Sequence, residues 1–244
     1  MHTSLNDNDN NNILRFHPKE VINYLSTLKL NIYDFFIDFA FNKNNYLSYA
    51  SSKVNFAIGI YDSQDESEKQ FSDFFEYRNG LLIQSKLQNF NKNILISSLE
   101  NSVYSKYFKN LSTIAFNKCS AKKSLHNLTD EQKQTFLTAI YPLLAHNALF
   151  VIEDYIFDFD KEHLDENMNF IINDAKKYYG EEKFNIIKKE FLSLLKDKFP
   201  TSINKWISIF NNSGYEIIFH KQYTCFYGKI LVKKTKSNLK TYLS

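Results

Sequence analysis

The stretch Val54–Phe90, VNFAIGIYDSQDESEKQFSDFFEYRNGLLIQSKLQNF, decides how the chain is read. It opens with Val54, Phe56, Ile58 and Ile60 at alternate positions, the period of a strand running to Tyr61. Asp62–Glu68 reads as the turn after it, and Ser63 with Glu66 has the spacing of a capping box. Acidic Asp65, Glu66 and Glu68 suit the positive end of the helix such a box would open. Apolar residues at Phe71, Phe74, Phe75, Leu81 and Leu82 continue that helix, and the rest of the chain is expected to cover it. Gly80 inside it costs about 1 kcal/mol relative to Ala, a sign of close packing or a bend.

On the N-terminal side, Met1–Asn12 is an Asn/Asp tract with too little apolar surface to offset the entropy of ordering, and reads as disordered. Val21, Ile22, Leu25 and Leu28 follow Pro18 at helical spacing. Ile32–Phe41, IYDFFIDFAF, suits either state, and the face made by Phe35, Phe36 and Phe39 favours helix.

On the C-terminal side, Leu95, Leu99, Val103 and Tyr107 form a further helical stripe. Asn117–Asn127 is polar, with Lys118, Lys122 and Lys123, and reads as an exposed loop. Thr129 and Gln132 repeat the capping-box spacing, opening a helix through Phe136, Leu137 and Ile140 that Pro142 kinks or breaks. LFVIEDYIFDF from Leu149 leaves helix and strand both open. Asp160–Tyr179 and Glu181–Phe199 read as a helical hairpin jointed at Gly180. Thr201 caps a short helix that closes at Gly214, and two strand-like runs then end the fold before a basic, solvated tail.

The expected fold class is therefore mainly α with small β elements (α+β): amphipathic helices around a long central helix, with short strands near 54–61 and 215–233. A disordered tail spans 1–12, an N-terminal helical region with one strand 13–127, and a C-terminal helical region ending in a β-hairpin 128–244, unless the two regions form one continuous domain.

Composition agrees with a helical chain: 5 Gly and 3 Pro in 244 residues are too few for the tight turns of an all-β sandwich or barrel. With 23 Phe and 16 Tyr, a bulky core and a sizeable interface are both expected. The net charge of +3 comes from near balance, and its cations are almost all Lys, with Arg at Arg15 and Arg78, so nothing signals nucleic-acid binding. Cys119 and Cys225 lack metal or redox spacing and read as buried free thiols. The polar N-terminus has no secretory pattern and no long uncharged apolar run occurs, so a cytoplasmic protein without direct membrane insertion is expected.

Candidate chemistry is sparse. The histidines His2, His17, His126, His146, His163 and His220 are scattered without metal-ligand spacing. Glu153, Asp154, Asp158, Asp160 and Glu162 cluster, and a buried pair among them would serve acid/base work, but interleaved Tyr155, Phe157 and Phe159 suit a solvated edge equally. Phosphate-cradling glycine loops and nucleophile elbows are absent. The reading is of a chain with no catalytic, cofactor or metal residues, and not an enzyme.

Val54, Phe56, Gly59, Ile60 and Tyr61, followed by Phe71, Asp73, Phe75, Tyr77, Arg78, Leu81 and Leu82, resemble the strand, loop and helix of type VI secretion baseplate wedge proteins of the TssG family. INKWISIFNNSGYEIIFHKQY, residues 203–223, is similar to that family's helix, glycine and strand unit. The resemblance implies a non-enzymatic subunit of a hetero-oligomer, packed against a larger wedge protein and linked to an adaptor subunit. Phe71, Phe74, Phe75, Tyr77, Arg78, Leu81 and Leu82 would then form the partner-binding face. The alternative is a soluble helical effector or regulatory protein-binding module.

Overall fold

A computed structural model describes residues 23–39, 46–62, 79–105 and 114–235. A mixed sheet of eight strands runs through them: β1 (Phe35–Asp38), β2 (Phe56–Tyr61), β3 (Gly80–Gln84), β4 (Phe116–Lys122), β5 (Leu144–Phe157), β6 (Thr201–Ser202), β7 (Tyr215–Thr224) and β8 (Tyr227–Lys234). The helices around it are α1 (Tyr46–Ser51), α2 (Lys92–Glu100), α3 (Asp130–Ile140), α4 (Leu164–Tyr179), α5 (Glu181–Asp197) and α6 (Ile203–Asn212). The expectation of a mainly helical fold around a long central helix is thereby corrected.

Strand order is β3-β2-β1-β4-β5-β8-β7, with β6 beside the end of β5. β3, β2, β1, β4 and β5 are parallel, whereas β8 runs antiparallel to both β5 and β7. The chain therefore winds outward from β1 to β3 and returns to lay β4 on the other side of β1. That reversal is the point at which open α/β sheets leave a crevice above the carboxyl ends of their strands.

Both faces of the sheet are covered, so its central strands need apolar residues at every position and not at alternate ones. Phe56–Ile60 in β2 and Ala148 with Phe150–Phe157 in β5 are buried accordingly. Leu95, Leu99, Phe136, Leu137, Trp206 and Phe210 of α2, α3 and α6 pack on one face. Tyr24, Leu25, Leu28 and the Tyr46, Leu47 and Ala50 side of α1 cover the other. α4 and α5 enclose a third cluster with Tyr155, Phe157, Phe226 and Tyr227. These three clusters absorb much of the aromatic content.

Three local readings change. Leu81 and Leu82, expected on the central helix, lie in β3, opposite Ile58 and Gly59 of β2. Phe71, Phe74, Phe75, Tyr77 and Arg78 fall outside the described residues. Phe35–Asp38, read as helix from three phenylalanines, is β1, because Phe36 and Ile37 bury opposite sides of a strand. Asn117–Lys122, read as an exposed loop, is most of β4. Its lysines are tolerated inside the sheet because Lys118 Nζ donates to the Leu28 carbonyl at 2.8 Å and Lys122 pairs with Glu153.

No helix among the described residues is long and apolar enough to cross a membrane.

Candidate active site at the switch point of the sheet

A cavity of about 470 Å³ opens where the carboxyl ends of β1 to β4 converge. Phe39 follows β1 directly, and β2 contributes Ile60 and Tyr61 with Asp62 just beyond it. Lys86, Leu87 and Gln88 follow β3; Lys123, Ser124, Asn127 and Leu128 follow β4; Lys198 comes from the end of α5. The volume falls within the roughly 300–1,000 Å³ of small-molecule sites, and a wall with a few polar groups is their usual chemistry.

The segment leaving β4 is the most constrained part of this rim. Asp154 of β5 is fully buried, and its Oδ2 accepts the backbone N–H groups of Ser124, Leu125 and His126 at 3.2, 2.8 and 3.1 Å. Its Oδ1 accepts from Tyr155 N at 2.8 Å and meets His126 Nδ1 at 2.6 Å. Burial alone would raise the Asp154 pKa, but the charge and hydrogen bond of His126 and the backbone donors outweigh it and hold the carboxyl below its ordinary value.

That clasp forces Lys123 into the left-handed region, at φ +52°, with its N–H on the Glu153 carbonyl at 2.9 Å. Such a conformation costs about 1–3 kcal/mol for a residue other than glycine. Hydrogen bonds to a charged group contribute about 1.5–3 kcal/mol each, so the Asp154 network more than offsets the strain. Immediately downstream the capping box forms as expected, with Gln132 N on Thr129 Oγ1 at 3.2 Å and Thr129 N on Gln132 Oε1 at 2.9 Å. It starts α3 and fixes where Asn127 and Leu128 meet the cavity.

With Nδ1 engaged by Asp154, Nε2 is the ring nitrogen of His126 left for any other partner. The ring stands edge-on to Tyr155, with centroids 5.0 Å apart. Its carbonyl accepts Phe199 N at 2.7 Å, which ties the corner carrying Lys198 to the same loop. A His–Asp pair of this kind can take a proton from a bound acceptor and stabilise the imidazolium that results.

Beside it, toward α1, a polar row crosses the sheet. Ser120 Oγ donates to Asp38 Oδ1 at 2.6 Å. Lys122 pairs with Glu153, whose other partners are the hydroxyls of Tyr227 at 3.0 Å and Tyr223 at 3.4 Å. Burial pushes the Tyr155 hydroxyl up to about 12, and it raises Tyr227 and Tyr223 as well, so these phenols stay protonated donors at neutral pH.

Of the acidic cluster seen in the sequence, Glu153 and Asp154 enter these two networks. Asp158 stands at the strand end, its pKa raised chiefly by burial, and Glu162 lies in the first turn of the short helix beyond Asp160. His126 was not distinguishable from the other histidines by local spacing. Its signal was position, three residues before a capping Thr and just after a strand that the lysines disguised. Cys119 and Cys225 are both buried free thiols.

Strand order, the closing antiparallel pair and the cavity above the switch point define a Rossmann-like α/β protein. No protein-family model matches the chain, and no curated protein matches it in sequence. Solved structures do match it. The cyclopropane synthase MmaA2 of Mycobacterium tuberculosis superimposes with a TM-score of 0.60 at 7% identity, over 88% of this chain and 83% of that one. A SAM-dependent methyltransferase from Methanosarcina mazei gives 0.51 at 11% identity, over 92% and 100%. Magnesium protoporphyrin IX methyltransferase from Synechocystis, solved with bound SAH, gives 0.53 at 6% identity, over 96% and 90%. The methyltransferase-like fold that they share with this chain replaces the resemblance to the TssG family. The baseplate subunit goes with it, as does the helical binding module, and the expectation of a non-enzymatic chain is corrected to a fold that these enzymes also have.

Proposed function

We propose that the chain is an S-adenosylmethionine-dependent methyltransferase acting on a small molecule in the switch-point cavity. The observation that carries this reading is the cavity's position, over β1 and β4 of a sheet in a chain that superimposes on methyltransferases over most of its length.

The cavity's residues suit the cofactor. Asp62, at the end of β2, supplies the carboxylate that a ribose diol needs in sites of this architecture. Leu87 and Gln88 offer an apolar wall and an amide to a purine, while Phe39 and Ile60 close the floor. One departure lies in the sequence: no glycine occurs between Asp38 and Tyr46, where related folds place a glycine-rich turn, so close backbone approach to the ligand is less favoured here.

When bound, the cofactor supplies an electrophilic methyl group on a sulfonium centre. The chain's own work is to exclude water, to orient the acceptor and to remove its proton. The group we propose for that proton is His126, whose loop neighbours Ser124 and Asn127 line the cavity although its own buried ring does not, with Asp154 holding the imidazole through Nδ1.

Calorimetric titration with S-adenosylhomocysteine tests the reading. Saturable binding is expected, weakened about 10- to 100-fold in Asp62→Ala through loss of a charged hydrogen bond. Absence of binding to the folded wild-type chain would overturn it.

A further inference from the structure

We infer that β7 is an edge-to-edge contact by which two copies of this chain pair, antiparallel and across a two-fold axis. β7 ends the sheet, and no strand among the described residues pairs with its outer side. Ten residues long, it turns a row of backbone N–H and C=O groups outward, a template for a further strand. Two bulges interrupt its ladder with β8, a usual way of blunting an edge, but its centre is apolar and not charged. Ile218 and Phe219 are 47% and 43% exposed, and the first bulge leaves Ile218 outside the ladder.

The charges of the strand stand on either side of that centre. Glu216 faces Lys233 of β8, Phe219 faces Leu231, and Lys221 faces Lys229. Glu216 and Lys221 therefore lie two ladder places either side of Phe219, and on the same face of the sheet. An odd number of residues separates them in sequence, so in a regular strand they would point to opposite faces; the extra residue of the bulge corrects this. A two-fold axis through the centre, perpendicular to the sheet, sets each copy's Glu216 opposite the other's Lys221 and so forms two ion pairs at once. A parallel, in-register pairing would instead oppose Glu216 to Glu216 and Lys221 to Lys221, which is destabilising.

The same pairing answers an imbalance within one chain. Among the described residues Lys221 has no carboxylate partner. The residue it faces across the ladder is another cation, Lys229, whose Nζ is turned toward the Tyr24 and Asn23 carbonyls at 3.0 and 3.2 Å. Glu216 meets Lys233 at 3.2 Å yet keeps 57% of its side chain exposed, which leaves room for a second cation. Acid and base are thus each open on the side where a second copy would supply the other.

Sedimentation velocity of the full chain, from micromolar to sub-millimolar concentration, tests the contact. Wild type is expected to shift from monomer to dimer. Glu216→Lys and Lys221→Glu each make both symmetry-related pairs repulsive, and each should weaken the dimer about tenfold. Both positions are exposed, so the variants should fold, which circular dichroism checks. Combining the two changes in one chain restores opposite charges and should recover wild-type association. Mixing the two single variants should give a heterodimer tighter than either forms alone. A wild-type chain that stays monomeric throughout, or a dimer indifferent to both single changes, would overturn the inference.

Discussion

Lys122 Nζ lies 2.6 Å from Glu153 Oε1, between residues that face each other across β4 and β5, with the two side chains only 4% and 9% exposed. Lys122 also stands 5.0 and 5.2 Å from the ring centres of Tyr24 and Tyr46. Removing two charges from water is costly, and the pair persists because the attraction is supplemented by cation–π contacts and tyrosine hydroxyls. Lys122→Met leaves a buried carboxylate without its cation and is expected to lower stability by about 3–5 kcal/mol. Adding Glu153→Leu should recover a substantial part of that loss, since the uncompensated charge is then gone. Urea unfolding of the single and double variants checks this; equal losses in both would mean the pair is not the stabilising unit.

Asp154 makes the loop after β4 sensitive to acid. Its folded pKa is held below the ordinary value of 3.8, so the fold keeps the proton off more strongly than the unfolded chain does. The stability this contributes is present above that value and is lost as pH falls through the lower folded pKa. Asp154→Asn should cost about 2–4 kcal/mol at pH 7 by weakening four backbone bonds and the His126 contact. The gap between variant and wild type should narrow below about pH 4. Thermal melts from pH 7 down to pH 2.5 measure it, and a gap that stays constant over this range would refute the assignment.

What the sequence revealed depended on whether the physics was local. The hairpin of α4 and α5 was legible because helical period and a glycine joint are carried by adjacent residues, and Gly180 does hold φ +83° between the two helices. The Thr129–Gln132 box was legible for the same reason. β4 was not: FNKCSAK looks solvated until Leu28 O and Glu153 are seen waiting for its two inner lysines, and those partners lie far away in sequence. Once β4 was lost, the switch point and the cavity above it were lost too. His126 and Asp154 are 28 positions apart, and only the parallel pairing of β4 with β5 brings them together. Excess aromatics then suggested an interface, whereas many of them coat two faces of a sheet that had not been recognised.

Two glycines separate backbone strain from steric conflict. Gly180 and Gly214 have φ of +83° and +82°, and a Cβ at Gly180 would meet nothing within 4 Å. At Gly214 it would fall 2.8 Å from Tyr141 Cε2. That ring cannot easily yield, because its hydroxyl donates to Thr235 O at 2.5 Å and Lys234 Nζ sits 4.1 Å over its face. Gly180 pairs φ +83° with ψ +146°, a region essentially reserved for glycine, so Gly180→Ala is expected to cost about 1–3 kcal/mol from backbone strain alone. Gly214→Ala should cost roughly 1–3 kcal/mol more, the range for overpacking. Equal melting temperatures for the two variants would show that Tyr141 gives way.

The sharpest functional prediction concerns His126. If Nε2 takes the acceptor's proton, His126→Gln retains a side chain able to hydrogen-bond Asp154 but cannot act as a base near neutral pH. Turnover should fall about 10²- to 10⁴-fold, the usual worth of general-base catalysis. S-adenosylhomocysteine affinity should change little, because the cofactor's contacts are assigned to Asp62 and the β3 loop. Asp154→Asn gives a complementary signature: the base remains but its tautomer and charge support are lost, so turnover should drop and the pH–rate profile should shift while cofactor binding is kept. Measuring labelled methyl transfer alongside calorimetric binding separates the two effects. A His126→Gln enzyme that binds the cofactor normally and turns over at the wild-type rate would remove His126 from the chemistry and leave its pairing with Asp154 as a clasp for the loop alone.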